Sequence, residues 1–387
     1  MKKILAVLMA LAMVFSLTAC GGSGEKETEA TQATEATKAT ETATQATEAT
    51  EESGTKVVVD VLGREVTVPS AVTRIAALGN APRQLVYMGL ADKIVGISEG
   101  YTAGNFSPIA AFGYVNNDAW AQLPAVGTGD AECYFEQLMI VAPDVLICTF
   151  PADVADDVQN KTGVPVVCIQ TGTLFGEDYD ASWRLIGEVC GAEERAEELI
   201  KYIDDCLADI ANRTKDIPED QRPTCLSAAA SFKGAHGIEG VRLKDAVLTA
   251  VNANSVAKLE GSNAGSAEVG KEQIMAWNPQ YIFCDASNVH LVTEDEDANP
   301  EFYEQLDAYN NNTIYQHPNG TYNYSNVEMP LANAYFIASI LYPDQFADID
   351  YEVKANEIFK FFLGVDNYLA ELEAVGAGYG VVDFGNE

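Results

Sequence analysis

Two stretches of the chain carry the same order of apolar and polar positions. AECYFEQLMIVAPDVLIC, Ala131 to Cys148, and AEVGKEQIMAWNPQYIFC, Ala267 to Cys284, both read A-E-x-x-x-E-Q-[LI]-M-x-x-x-P-x-x-[LI]-x-C, which sets Glu136 against Glu272. In each, a helical-looking stretch leads through a Pro into a short apolar run, VLIC or YIFC, that suits a buried strand. A unit that occurs twice at this separation is not a solenoid, which needs several short copies. The pattern predicts two similar α/β lobes.

The remaining pattern fills in around these copies. KVVVDVLGREVTVP, Lys56 to Pro69, alternates on both sides of a Leu-Gly turn and predicts a small hairpin. TRIAAL (Thr73–Leu78) reads as a buried strand, and APRQLVYMGL as a helix entered through Gly79-Asn80 with Pro82 near its first turn. KIVGIS is the next strand, followed by a polar and aromatic loop from Glu99 to Leu123 that holds Tyr101, Phe106, Tyr114 and Trp120. VPVVCI (Val164–Ile169) comes after the first copy of the repeat. Strands alternating with helices imply a parallel or mixed sheet covered on both faces. From Ala181 to Thr214 apolar residues keep helical spacing, interrupted once at Gly191, until DIPEDQRP stops them. This predicts a long, stiff helical connector. The organisation expected is an N-terminal α/β lobe over 56–180, a bridging helix over 181–215 and a C-terminal α/β lobe over 216–387, opening with TCLSAAASF.

The N-terminal end changes the picture of where the protein works. Lys2 and Lys3 precede ILAVLMALAMVFSL, an apolar run too short and too poorly flanked for a stable span, and Leu17-Thr18-Ala19-Cys20 then leads into Gly21-Gly22. This resembles the bacterial lipobox, which implies a signal peptide over 1–20, cleavage before Cys20 and diacylglycerol on its thiol. Acyl burial would then hold the protein to a membrane face. Residues 21–55 are Thr, Ala, Glu and Gln in a loose TEAT repeat without an aromatic residue. Such a segment buries too little to offset its ordering entropy and is expected to be a disordered tether.

Charge and cysteine usage narrow the function classes. The net charge of −35 falls mostly beyond the tether, whose eight Glu face two Lys. So acidic a surface repels nucleic acid and anionic headgroups, and no nucleic-acid partner is expected. Cys20 aside, seven Cys remain; Cys148, Cys168, Cys225 and Cys284 sit in strand-like runs, and Cys190 and Cys206 in a helical one. With no CxxC and no Cys/His zinc spacing, these read as buried free thiols. The chain has no G-x-S-x-G, H-E-x-x-H or P-loop and only three His, so an enzyme is not expected.

The phrases DVLGREVTVP, RIAAL followed by LADKIVGIS, EQLMIVAPDVLI, EQIMAWNPQYIFCD, and ANAYFIASILYPDQFADID with ANEIFKFFLG resemble, in that order, the substrate-binding lipoproteins of ABC importers that capture iron–siderophore complexes, haem or cobamides. The similarity runs from about Val57 to Gly364. It implies two Rossmann-like α/β lobes joined by one long helix, a ligand cleft between them, no intrinsic cofactor, and a monomer at the extracytoplasmic face of the cell membrane. It also implies delivery of a metal complex to a permease dimer with a cytoplasmic ATPase. In the resembling family one Glu from each lobe, at the place of Glu136 and Glu272, docks on Arg residues of that permease. The alternatives are the same receptor serving an oxyanion such as molybdate or tungstate, or a surface-anchored hydrolase.

Cargo would lie between the lobes, at loops on the carboxyl ends of strands. Arg83 stands across the turn Gly79-Asn80-Ala81-Pro82 from a strand, where a guanidinium and helix-start amides make an anion seat, with Asn80 as a further donor. SFKGAHGIEG, Ser231 to Gly240, puts Lys233 and His236 in a Gly-rich loop that lets the backbone approach a ligand. Tyr322 and Tyr324 in NGTYNYSN, together with Trp120, are placed to stack on a flat chelate, or the tyrosines to ligate iron through phenolate. His290 and His317 read as surface residues, and Asp144 and Asp285 as caps.

Overall fold

The computed structural model describes residues 54–385 apart from Ala131, Thr171 and Asn323, and gives the backbone alone at Tyr322, Tyr324 and Ser325. The signal segment, Cys20 and nearly all of the 21–55 tether lie outside the described residues. The expected hairpin is Thr55–Val59 paired antiparallel with Glu65–Pro69. Its alternation turns Val58, Val66 and Val68 inward and leaves Val57 and Val59 exposed.

The first lobe is a six-stranded sheet in the order Glu132–Cys133, Ala125–Thr128, Ile94–Ser98, Ile75–Ala77, Val145–Cys148, Val166–Cys168, parallel except at Glu132–Cys133. The second lobe is a five-stranded sheet in the order Asn254–Ser255, Thr224–Ala228, Tyr281–Asp285, Ile314–His317, Gly380–Val381, parallel except at its last strand. Each chain path starts in the middle, steps to one side, and then crosses back to the other. The strand order reverses beside Ile75–Ala77 in one lobe and beside Thr224–Ala228 in the other, so the lobes share a topology.

The repeat occupies equivalent places in both. Each copy enters a short helix, Phe135–Val141 or Lys271–Trp277, with its Glu at the second position. Each helix ends on a left-handed residue, Ala142 (φ 47°) or Asn278 (φ 38°), whose N–H returns to the carbonyl of Leu138 or Ile274. The Pro that follows cannot continue a helix, so the chain turns directly into the central strands Val145–Cys148 and Tyr281–Asp285.

The predicted connector over 181–215 is two helices. Glu177–Cys190 ends where Gly191 adopts φ 68°, and Glu193–Thr214, 22 residues long, is the bridge. A left-handed glycine after the last helical residue reverses the chain instead of kinking it, so the first helix packs back on the N-terminal lobe. Alternate residues of each sheet face different cores. Ala76, Leu146 and Cys148 pack outward in the first lobe and Leu226, Ile282 and Cys284 in the second. Ile75, Ile147, Cys225 and Phe283 face one continuous core with the bridging helix and with the helices Glu328–Leu341, Tyr351–Leu363 and Tyr368–Ala374. The seven described cysteines are all free and buried, as expected. Burial pushes the Cys133 thiol up to about 11, away from the thiolate that reactive cysteines need.

Candidate functional site

In open parallel sheets the crevice for a ligand opens beyond the carboxyl ends of the strands, where strand order reverses. In the first lobe that point holds Gly79, Asn80 and Thr149. The Asn80 N–H donates to Thr149 Oγ1 (3.3 Å), and the Thr149 hydroxyl donates to the exposed Asp130. Gly79 has φ +65°, and a Cβ there would lie 1.8 Å from Thr149 Oγ1, so only glycine admits this approach. In the second lobe the corresponding point holds Ala229 to Ser231 and Asp285 to Asn288. Asn288 Nδ2 donates to the Ala229 carbonyl (2.7 Å) and to Ser231 Oγ (3.0 Å), while buried Asp285 accepts from Ser231 N–H and from Arg242 (2.7 Å). Beside Asp285 the Arg242 guanidinium is raised above its ordinary range.

Two adjoining chambers lie between Thr173 and Leu174 of the first lobe and the second lobe. The inner one, about 230 Å³, is lined by Arg242, Lys244, Asp285, His317 and Asn333. The outer one, about 790 Å³, is mostly apolar and runs along the bridging helix past Phe175, Leu207, Ala211, Leu248 and Ala253. Deeper in the seam the lobes meet through polar groups. Arg83 Nε donates to Asn326 Oδ1 (3.1 Å) and Nη1 to Asn80 Oδ1 (2.6 Å), with the guanidinium 4.4 Å from the centre of the Phe112 ring. The Tyr87 hydroxyl donates to Glu328, which also accepts the Val327 N–H (3.1 Å). Burial pushes the Glu328 carboxyl up, against the pull of those hydrogen bonds and of Arg83.

The periplasmic binding protein family model matches residues 75–320, which span both reversal points. The chain belongs to the periplasmic binding protein family. It is 22% identical over 231 residues, 58% of this chain and 67% of the relative, to the uncharacterized ABC transporter substrate-binding lipoprotein YvrC of Bacillus subtilis (strain 168). It is 22% identical over 333 residues, 79% of this chain and 90% of the relative, to the molybdate-binding protein MolA of Haemophilus influenzae. Among solved structures, a periplasmic solute binding protein from Veillonella parvula has a TM-score of 0.66 at 22% identity, covering 83% of this chain and 96% of that one. MolA bound to molybdate has a TM-score of 0.61 at 19% identity, covering 80% and 98%. These likenesses establish the two-lobed fold. The relatives are named as binding proteins, and this chain shares their family, the periplasmic binding proteins.

None of the sequence-predicted ligand residues whose side chains are described is among those lining the two chambers. Arg83 and Asn80 stand at the first reversal point, but Arg83 is 1% exposed and joins the two lobes instead of lying open as an anion seat. Lys233 is exposed in the loop beyond Ala230, held at φ 51° beside Gly234 at φ 132°. His236 of the same loop stacks on Phe232 at 4.1 Å and turns Nε2 to the Phe232 carbonyl (2.8 Å), with Nδ1 4.0 Å from Glu268. Trp120 is buried at 1% exposure among Tyr101 and Phe112, one ring behind Arg83. The backbones of Tyr322 and Tyr324 pair in a hairpin next to Thr321, which borders the inner chamber; their side chains lie outside the described residues.

His317, read from sequence as a surface residue, is 6% exposed; Asn333 Nδ2 lies 2.9 Å from its Nδ1. It sits at the end of a central strand, so its position in the sheet buries it. His290 is exposed, as expected. Asp144 takes the N–H groups of Thr73 and Arg74, a clamp on a strand start, whereas Asp285 is a buried ion-pair partner rather than a cap. Arg242, Asn326 and Glu328 escaped the sequence reading. Only Glu328 left a signal there, a carboxylate opening the apolar run MPLANAYFIASIL.

Proposed function

We propose that this receptor, held by lipid on Cys20 at the extracytoplasmic face of the cell membrane, captures a metal complex of the ferric siderophore, haem or cobamide class. It passes that cargo to an ABC permease dimer driven by a cytoplasmic ATPase. The observation that carries the reading is the pair of adjoining chambers between Thr173–Leu174 and the second lobe, the inner one lined by Arg242, Lys244, Asp285 and His317. A ligand touching both lobes favours their closed arrangement, which is the signal a permease reads. The polar inner chamber and the apolar groove beside it suit a chelate with a charged part and an apolar part. Lys233 and His236 act from one lobe and Asn80 from the other, with Arg83 tying the lobes together behind them. Tyr322 and Tyr324 stack on the chelate or ligate its metal, and Trp120 backs the Arg83 platform. The metal belongs to the cargo, and the receptor needs no cofactor of its own.

A second reading, an oxyanion such as molybdate or tungstate, draws on the similarity to MolA and on the small inner chamber with Arg242 and Lys244 in its wall. Native mass spectrometry of receptor purified from its host decides between them. A bound mass containing metal and an organic chelator supports the first reading, and a molybdenum or tungsten oxyanion the second. A receptor that carries nothing from metal-limited cells, and binds neither ferric chelates nor molybdate in titrations, would overturn both.

Lys233 and Cys20 give two further expected results. Lys233→Ala should weaken capture of the identified cargo by roughly ten- to a hundredfold, about 1.5–3 kcal/mol for a lost charge-assisted contact, without changing the melting temperature of an exposed site. Unchanged calorimetric titrations would remove Lys233 from the site. Cys20→Ser should be secreted to the medium or remain unprocessed, as fractionation and immunoblotting would show. A variant that stays on the membrane after signal cleavage would refute lipid anchoring.

A further inference from the structure

His317 ends the strand Ile314–His317 at the wall of the inner chamber, and a network around its ring fixes where the ring proton sits. The Pro318 carbonyl can only accept, so the amide atom 2.8 Å from it is the Asn333 nitrogen, and the Tyr379 hydroxyl donates to the Asn333 oxygen (3.0 Å). The second N–H of that nitrogen meets His317 Nδ1 at 2.9 Å. Nδ1 also lies 3.0 Å from the Pro318 carbonyl, but a proton on it would face the Asn333 N–H. Nδ1 therefore accepts, and the ring proton stands on Nε2, which has no hydrogen-bond partner among the described residues.

Other donors of the same wall are left over as well. Arg242 commits Nη2 to Asp285 (2.7 Å), and its Nε and Nη1 have no hydrogen-bond partner among the described residues. Lys244 donates once, to the Asn263 carbonyl (2.9 Å), out of the three N–H groups of an ammonium. The two carboxylates of the wall are turned to its own groups: Asp245 to the N–H groups of Val247 and Leu248, and Asp285 to Arg242 and the Ser231 N–H. The chamber thus offers donors more than acceptors, and its volume of about 230 Å³ admits one anionic group rather than a whole chelate.

We infer that the inner chamber is an oxyanion subsite, in which Arg242, Lys244 and His317 Nε2–H donate to anionic oxygens while Asn333 and Tyr379 are positioning residues that hold the His317 tautomer. This deepens, and rests on, the reading of the chambers as the cargo site. Such oxygens belong to a free tetrahedral oxyanion or to a carboxylate arm of a chelate, and either accepts from a guanidinium fork and an imidazole N–H. A metal ion is not the occupant, because Nε2 could ligate one only by passing its proton to Nδ1 and losing the Asn333 bond.

The test uses the full-length receptor with isotope-labelled histidine, and titrations with two probes, molybdate and ferric citrate. The ring-nitrogen spectrum of ligand-free receptor should show His317 as the Nε2–H tautomer, and a bound probe should shift that signal. Arg242→Gln and His317→Leu should each weaken probe binding roughly tenfold, and His317→Gln, which keeps an N–H, should recover part of the loss. Asn333→Leu should move the ring proton to Nδ1, against the Pro318 carbonyl, and weaken the same probe. Binding of molybdate alone supports the subsite with a free oxyanion as its source, and binding of ferric citrate alone supports it with a carboxylate arm. A proton on Nδ1 in the parent overturns the inference whatever the cargo. Parent-like titrations for both Arg242→Gln and His317→Leu overturn it too and leave the capture reading standing. So does a receptor that carries a metal complex in native mass spectrometry yet binds neither probe; one that carries nothing and binds neither overturns both.

Discussion

Arg83→Ala is expected to lower both the melting temperature and cargo affinity, which separates it from Lys233→Ala. The guanidinium is buried, stacks on Phe112, and bonds to Asn80 of its own lobe and Asn326 of the other. Truncation leaves two amide oxygens short of a donor, at about 1–3 kcal/mol for each buried group left unsatisfied. It also removes the cation that eases the ionisation of buried Glu328. Together these place the cost at roughly 3 kcal/mol or more, several degrees in melting temperature for a chain of this size. Affinity falls too, because the closed arrangement loses a link that both lobes share. Arg83→Lys keeps the charge but not the fork that reaches two partners, so it should recover only part of the loss. Thermal melts decide: an Arg83→Ala protein that melts like the parent would mean that the interlobe bond contributes nothing.

Joint replacement of Glu136 and Glu272 by alanine is expected to leave cargo affinity intact and to abolish uptake. The two carboxylates are exposed, occupy the same helical position, and lie ahead of matching central strands in lobes of one topology. On the proposed delivery to a permease dimer, equivalent contacts from the two lobes would match a two-fold partner, and Glu136 and Glu272 are the candidates for them. A carboxylate in the first helical turn also suits the macrodipole, a local benefit of a few tenths of a kcal/mol. That benefit predicts a small drop in stability and no effect on transport. Uptake assays in cells whose own receptor gene is deleted separate these outcomes: full transport by the double variant would reduce the repeat to a relic of lobe duplication.

Much of this architecture was legible because the signals are local and periodic. The alternation in Lys56–Pro69, the buried strands and the A-E-x-x-x-E-Q copies each follow from side-chain spacing, and two lobes follow from the copies. Gly191 shows where local reading stops. Helical periodicity continues on both sides of it, and nothing in the pattern tells a tolerated glycine from one that reverses the chain at φ 68°. The crevice was harder to read because its chemistry is assembled from distant segments. Arg83 meets Asn326, and Tyr87 meets Glu328, across some 240 residues of chain. His317 was misjudged for a related reason: a polar residue at the end of a strand looks exposed until the neighbouring helix, with Asn333, is laid over it. Trp120 is the converse, an aromatic residue in a polar loop that builds its own small core.

The continuous inner core also bears on how the molecule is made. Helices from Glu328 onward pack on the first lobe and the bridge: Tyr368 OH donates to the Pro108 carbonyl (2.7 Å), the Tyr87 hydroxyl to Glu328, and Arg195 of the bridging helix to the Phe361 carbonyl (2.6 Å). The lobe that leaves the ribosome first is thus completed by the segment that leaves last. Tyr87, whose ring packs edge-on against Phe362, lacks that cover until then. The inner core of the first half of the chain is therefore finished only when these last helices are in place, so folding of the two halves is tied together.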